Sequence, residues 1–452
     1  MSGGRHFLPL TDAERREMLA AIGAASMEQL FDELPAEVRL KENGLKLPPP
    51  LSEMELRAHL GALAAKNMNL QDHPCFLGAG VYDHFIPAVV QHVVGRSEFY
   101  TAYTPYQAEI SQGLLQSIFE YQTLICRLTG MEAANASLYD GATALAEAAL
   151  AACSMTRRRK VLVSRSVNPH YRRVLQSYLE GRDCLLLEIP LADGATDFSR
   201  LEAMLDGETA ALLLQQPNFF GLLEEELEGA AAMAHRHGAL LVLSVDPLSL
   251  ALFRAPAEYG ADIATGEGQG LGSPPSFGGP LLGFFAARRE LLRRLPGRIV
   301  GETVDGEGRR GFVLTLQTRE QHIRRERATS NICSNQALNA LAAAAYLAAM
   351  GPEGLREVAE LCLQKAAYAR EKIASLEGYA PAFPGVHFKE FAVKLPGSGS
   401  RLNRHLLEHG IIGGLDLETY YPELGPAMLF CVTETKTREQ IDALARALEG
   451  WL

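Results

Sequence analysis

Three groups of residues in this 452-residue chain have the types and placement to hold an anionic, ring-bearing ligand. The first is the corner Asp140-Gly141-Ala142-Thr143 in NASLYDGATALAEAAL (135–150), a polar turn ahead of an Ala-rich run. A helix starting there would offer free amides to a phosphate-like anion. The plainer alternative is an ordinary N-cap. The second is Asp246, closing the apolar run ALLVLSVD, where a carboxylate can face a ligand; otherwise it is a turn residue before Pro247. The third is the loop GEGQGLGSPPSFGGP (266–280), whose glycines let backbone approach a ligand closely. Its functional side chains are Glu267, Gln269 and Ser273.

Other residues invite chemistry elsewhere. Tyr103, Thr104, Tyr106 and Gln107 gather hydroxyls and an amide around Pro105, suited to a carboxylate at a subunit interface; the alternative is a turn with buried tyrosines. Residues 288–327 hold eleven arginines against six acidic residues in a chain whose net charge is −11. Arg309, Arg310, Arg324 and Arg325 in this stretch are candidates for docking an acidic partner, since guanidinium forks match carboxylates. A solvated helix face with local ion pairs is the alternative. In ATSNIC (328–333), Thr329, Ser330 and Asn331 form a polar loop in which Ser330 or Asn331 is placed to cap the helix that follows. Asn168-Pro169-His170 is a candidate ring-stacking position. His235 and His237, two apart on a helix, face different ways and suggest no metal pair. No metal site is expected.

The elements that must position these residues follow from pattern. Residues 1–65 read as a helical arm, with helix starts at Thr11-Asp12, Ser26–Gln29 and Ser52–Glu55 and an extended Pro-rich connector, KENGLKLPPPLSE, between them. Residues 66–327 alternate short apolar strands (VLVS, CLLLEIP, AALLLQQP, ALLVLSVD, ADIATGEG) with helical stretches. That alternation predicts an α/β fold with a mostly parallel sheet and a ligand beyond its carboxyl ends. Residues 328–452 read as a small α+β domain: two helices, the strands FKEFAVKLP and PAMLFCVTE, and a closing helix.

Composition narrows the function. An acidic chain of pI about 5.6 argues against general nucleic-acid binding. No apolar run approaches the ~20 residues of a membrane helix, and MSGGRHFLPLTDAERREML lacks the apolar centre of a secretory signal. Seven cysteines without a CxxC pair fit a reduced, cytoplasmic protein. A dinucleotide fold is disfavoured: Leu271 or Ser273 stands where the third glycine of G-x-G-x-x-G belongs, and Pro274-Pro275 blocks an immediate helix. A pyridoxal-phosphate fold needs phosphate-binding amides, a carboxylate for the ring nitrogen and a lysine for the Schiff base. The first two have candidates. The third fails: no lysine lies between Lys160 and Lys365, and the loop offers Gln269, whose amide cannot form an imine.

This combination resembles the P-protein of the glycine cleavage system, and within it the amino-terminal-half subunit of bacteria that split P-protein into two chains. The carriers are FLGAGVYDHFIPAVV (76–90), the segment 99–132 that includes TAYTPYQAEISQG, NASLYDGATALAEAAL, residues 245–280, residues 308–333 and AYLAAMGPEGL (345–355). The resemblance implies a fold-type-I pyridoxal-phosphate-transferase-like architecture. It implies that the second subunit binds the cofactor through a lysine, and that Gln269 marks the loss of that lysine here, leaving Asp140, Gly141, Thr143, Asp246 and Gln269 as relics of a cofactor site. It also implies a heterotetramer with two copies of each subunit, which decarboxylates glycine and passes an aminomethyl group to the lipoyl arm of H-protein. Tyr103, Thr104, Tyr106 and Gln107 would then stand near the partner's cofactor. The competing expectation is a purely structural or regulatory subunit of the same fold.

Overall fold

A computed structural model describes residues 10–39, 46–332 and 334–451, without the side chain of Arg327. Residues 41–45 of the Pro-rich connector and Cys333 of ATSNIC therefore lie outside the described residues. The chain divides into two units, Met1–Asn69 and Leu70–Leu452.

In the first unit, α1 (Asp12–Ala21) and α2 (Glu53–Ala64) begin where the sequence predicts. Thr11 with Glu14 and Ser52 with Glu55 form reciprocal capping boxes. The third expected start gives only a one-turn 3-10 helix, Glu28–Phe31, because the segment has no apolar stripe long enough to sustain an α-helix. Neither α1 nor α2 buries a residue, and Met18, Ile22, Phe31, Met54 and Leu60 are exposed.

The second unit is built on a seven-stranded sheet. Its strands are β1 (Ala133–Ala134), β2 (Lys160–Ser164), β3 (Leu185–Ile189), β4 (Thr209–Gln216), β5 (Leu240–Val245), β6 (Ile263–Glu267) and β7 (Gly283–Ala287). The order is β1-β7-β6-β5-β4-β2-β3, parallel from β3 to β6, with β7 and β1 antiparallel at one edge. The predicted α/β class is thus observed. Alternate residues of the central strands enter two different cores, as a pleat buried on both faces requires. Leu212, Leu214, Leu241 and Leu243 pack on one face with Tyr121, Ala230 and Tyr346. Ala211, Leu213 and Val242 pack on the other with Leu145, Ala149 and Leu175. The helices supplying these partners are α3 (Gln112–Thr129), α4 (Gly141–Thr156), α5 (Pro169–Glu180), α6 (Leu227–Arg236) and α7 (Ala337–Ala374).

Two readings are corrected. The middle of the Arg-rich stretch is not helical: β8 (Ile299–Val304) and β9 (Arg310–Thr315) make an antiparallel hairpin, with Val300, Phe312 and Leu314 buried against Leu115 and Ile118 of α3, while Arg289–Arg294 and Gln321–Arg324 on either side are short helical turns. Nor do Ser330 or Asn331 cap the Ala-rich helix. It starts at Ala337, and the amide of Gln336 is taken by Ser137 Oγ at 3.0 Å. The two helices predicted after residue 336 are both present, meeting at a kink at Gly351, whose non-helical φ of 59° precedes Pro352.

A smaller sheet follows: β10 (Ala380–Pro381), β11 (Glu390–Lys394), β12 (Leu415–Asp416) and β13 (Ala427–Cys431), in the order β10-β11-β13-β12. Helices α8 (Gly399–Glu408) and α9 (Arg438–Glu449) and the end of α7 cover one face through Leu402, Leu406, Leu444, Leu448 and Ile373. Among the described residues no helix is long and apolar enough to cross a membrane.

Candidate functional site

The carboxyl ends of β4, β5 and β6 meet the segment 79–85 and the start of β11. Asp246 follows β5. Its Oδ1 accepts the amides of Leu248 (2.9 Å) and Ser249 (3.4 Å), closing the turn at Pro247. Its Oδ2 receives Lys389 Nζ at 2.5 Å. Lys389, 2% exposed, also lies 3.1 Å from His84 Nε2 and 3.4 Å from the centre of the Tyr82 ring. An ammonium has three donors; here they face a carboxylate, a ring nitrogen and an aromatic face. Burial opposes the charge on Lys389, but Asp246 leads the groups that outweigh it, and its pKa is raised.

Glu267 ends β6. Its Oε2 accepts the Gly141 amide at 2.9 Å, and its Oε1 accepts the amides of Gln269 (2.9 Å) and Leu282 (2.8 Å). Burial still pushes its pKa up to about 7, against those three hydrogen bonds. Asp140 caps α4 by accepting the Thr143 amide at 2.7 Å. The corner expected to offer free amides therefore has those of Gly141 and Thr143 already engaged, and the N-cap alternative is the one observed. There is no slack at Gly141, where a Cβ would sit 2.5 Å from the Tyr171 hydroxyl.

Gln269 is fully buried. Its Nε2 donates to the carbonyls of Tyr82 (3.0 Å) and Ser273 (2.6 Å), and its Oε1 accepts the Tyr82 amide at 2.8 Å. It ties the glycine-rich loop to the segment 79–85. Glu390 accepts the Ala79 amide (2.6 Å) and the Tyr82 hydroxyl (2.8 Å), and burial raises its pKa to about 7. Glu434 joins through His84 Nδ1 at 2.7 Å; burial opposes its charge, but the His84 contact and backbone amides led by that of Phe85 together outweigh it and lower its pKa to about 2. His84, Cys362 and Glu434 place possible ligand atoms within 4.8 Å of one another, but they are hydrogen-bonded among themselves and to Lys389.

Cavities of about 20 and 30 Å³ remain among these side chains. Each holds about one water, an order of magnitude short of a small-molecule pocket of roughly 300 Å³. Pyridoxal phosphate does not fit here. Its phosphate would meet the Glu267 carboxylate at the start of α4, and its ring nitrogen would meet the Lys389 ammonium on Asp246. His170 is no ring-stacking residue for this site: it pairs with Tyr420 at 3.0 Å, while Tyr171 and Asn168 line the cluster. His235 pairs with Asp262 at 2.8 Å, as a lone structural histidine.

The other candidates lie at the surface. Tyr103 is 86% exposed and Tyr106 50%, which removes the reading of buried tyrosines. Gln107 is exposed and Thr104 half-buried in the same irregular loop before α3. Tyr106 is held from beneath. Arg298 NH2 donates to its hydroxyl at 3.2 Å, Arg298 NH1 donates to Asn335 at 3.0 Å, and the His322 ring lies 5.3 Å away. Arg309 pairs with Asp305 and Glu307, and Arg310 with Glu302, all within the β8–β9 hairpin. Arg324 and Arg325 are exposed, with no ion pair among the described residues. Ser330 Oγ accepts the Ile332 amide at 3.0 Å and hydrogen-bonds Glu147.

Comparison with known proteins places the chain in a family. The family model of the glycine cleavage system P-protein matches residues 5–448. The chain belongs to this family. A probable glycine dehydrogenase (decarboxylating) subunit 1 from Moorella thermoacetica is 58% identical over 99% of both chains. A protein of the same description from Carboxydothermus hydrogenoformans is 56% identical over 98% of this chain and 99% of that one. A crystal structure of glycine decarboxylase (P-protein) of the glycine cleavage system, in inhibitor-bound form, superposes with a TM-score of 0.91 at 48% identity, over 99% of this chain and 100% of that chain. A sphingosine-1-phosphate lyase from Burkholderia pseudomallei shares the fold at a TM-score of 0.62 and 14% identity, over 90% of this chain and 92% of that chain. The fold-type-I architecture implied by the P-protein resemblance is thereby shown.

Sequence reasoning missed Tyr82, His84, Lys389, Glu390 and Glu434. A signal was available: Lys389-Glu390 sit between Phe388 and Phe391 in the predicted strand FKEFAVKLP, Glu434 closes PAMLFCVTE, and buried charges need partners.

Proposed function

We propose that this P-protein chain is the first subunit of a two-subunit glycine decarboxylase, active with a second subunit that carries pyridoxal phosphate. The observation that supports it most directly is the full-length likeness to relatives described as subunit 1, joined to an internal site with no room for the cofactor. Pyridoxal phosphate, when bound by the partner, supplies the electron sink for loss of carbon dioxide. This chain's part is to bring Tyr103, Thr104, Tyr106 and Gln107 to the partner. Their hydroxyls and amide orient the glycine carboxylate and help exclude water. Arg298 fixes the Tyr106 hydroxyl, leaving its proton free to be donated outward. Arg324 and Arg325, exposed and without ion pairs among the described residues, would attract acidic lipoylated H-protein, the acceptor of the aminomethyl group. The assembly is two copies of each subunit, in the cytoplasm.

Glycine-dependent exchange of labelled bicarbonate tests this reading, with lipoylated H-protein and pyridoxal phosphate present. Exchange is expected only when this chain is mixed with the second subunit. Exchange by this chain alone, or none by the mixture, would overturn it. The alternative of a purely structural subunit predicts that Tyr103→Phe and Tyr106→Phe leave the mixture's exchange unchanged.

A further inference from the structure

We propose that the chain carries its own replacement for a cofactor: the Lys389 ammonium stands in for a pyridinium on Asp246, and the Glu267 carboxylate stands in for a phosphate at the start of α4. Two anchor points that a phosphorylated pyridine would use in this fold are a carboxylate beyond a strand end and amides at a helix start. Both are present, and both are satisfied from within. The cation arrives from the small sheet, 143 residues beyond Asp246, and bonds Asp246 Oδ2 at 2.5 Å. The anion arrives from β6 and bonds the Gly141 amide at 2.9 Å. Tyr82 lies against the ammonium at 3.4 Å, a flat ring facing a cation.

The occupant is built in rather than adventitious. Lys389, Glu267, Gln269 and Glu390 are each buried, and each has polar partners at hydrogen-bonding distance. The same contacts join three regions: the large sheet (Asp246, Glu267), the segment 79–85 (Tyr82, His84) and the small sheet (Lys389, Glu390). A ligand that normally comes and goes has been replaced by side chains that cannot leave. The site therefore acts as a permanent clasp between the two sheets. The inference concerns this chain's own site and does not depend on which reaction the assembly performs.

Chemical rescue tests it on the full-length chain. Lys389→Ala leaves a cation-shaped vacancy on Asp246. Thermal unfolding is followed at pH 7 with methylammonium or ethylammonium chloride at 100 mM, against sodium chloride at equal ionic strength. The variant's Tm is expected to rise by about 2–4 °C with either organic cation and the wild type's by less than about 1 °C. Equal responses of wild type and variant would overturn the cation half. If Lys389→Ala does not fold, Lys389→Arg, which keeps the charge, takes its place in a second measurement. Saturable binding of pyridoxine 5′-phosphate, which has no aldehyde to react with surface lysines, is measured by its fluorescence. No binding up to 1 mM is expected for wild type and Lys389→Arg. Glu267→Ser is expected to gain measurable binding of inorganic phosphate, seen by isothermal titration, where wild type shows none. Wild-type binding of pyridoxine 5′-phosphate, or a folded Glu267→Ser that binds phosphate no better than wild type, would overturn the proposal.

Discussion

Replacing Glu147 by glutamine should change how the protein's stability depends on pH. Glu147 lies on α4, 2% exposed, beside Tyr178 and Arg182 at a cavity of about 360 Å³. Burial raises its pKa from 4.5 to about 7, against a hydrogen bond from Ser330 and the charge of Arg182. The folded pKa exceeds the unfolded one, so the native chain keeps a proton that the unfolded chain releases between those values. Its contribution is fully present below pH 4.5 and is lost as pH rises to 7 and above. A shift of this size corresponds to about 3 kcal/mol. At roughly 1–2 °C per kcal/mol for a unit as large as Leu70–Leu452, that is a Tm difference of about 3–6 °C. The assay is thermal unfolding of wild type and Glu147→Gln from pH 5 to 8. Glutamine is isosteric and can still accept from Ser330, so the wild type should lose several degrees more than the variant across this range. Parallel profiles would refute the reasoning. Glu267 and Glu390 titrate in both proteins and cancel in the difference.

Gln269→Lys should not create a cofactor enzyme. The new ammonium cannot accept the Tyr82 amide and enters a site that already holds Lys389, so a loss of about 2–4 kcal/mol is expected, with no imine absorbance on adding pyridoxal phosphate beyond what the wild type's other lysines give. Such absorbance at position 269 would contradict the filled site. Gly221→Ala should abolish soluble folding or cost at least about 3 kcal/mol: its φ is +80°, and a Cβ would lie 1.9 Å from the Glu390 carbonyl oxygen. Normal yield and Tm would refute this. Tyr106→Phe should keep the Tm within about 2 °C, because the ring is half exposed, yet lower bicarbonate exchange by the mixed subunits about tenfold. Arg324→Glu with Arg325→Glu should raise KM for H-protein severalfold at unchanged kcat; an unchanged KM would sink the docking role.

What could be read from the sequence was what depends on near neighbours. The strands β2 to β6 were legible because a parallel sheet buried on both faces demands continuous apolar runs. The capping boxes at Thr11 and Ser52 were legible because their partners are three residues away. The hairpin β8–β9 was obscured by its charges: Arg310, stacked on Phe312 and paired with Glu302, stands at the exposed end of the same face on which Val300, Phe312 and Leu314 are buried. The glycine-rich loop pointed to Gln269 but not to its partners, since Tyr82 is 187 residues away. Asp246 was found and Lys389 was not. Local pattern marks a carboxylate at a strand end, but nothing local reveals which distant charge will neutralise it.

The clasp at Asp246 also bears on how this chain could change over generations. A site that had merely lost its lysine could regain one by a single substitution. Here Glu267, Lys389 and the Gln269 clamp fill the site, each held by polar partners around it. A lysine introduced at any one position meets neighbours already paired with one another. Regaining the chemistry requires several coordinated substitutions, and each alone destabilises the fold. Division of labour between two subunits, once built into the packing in this way, is a ratchet.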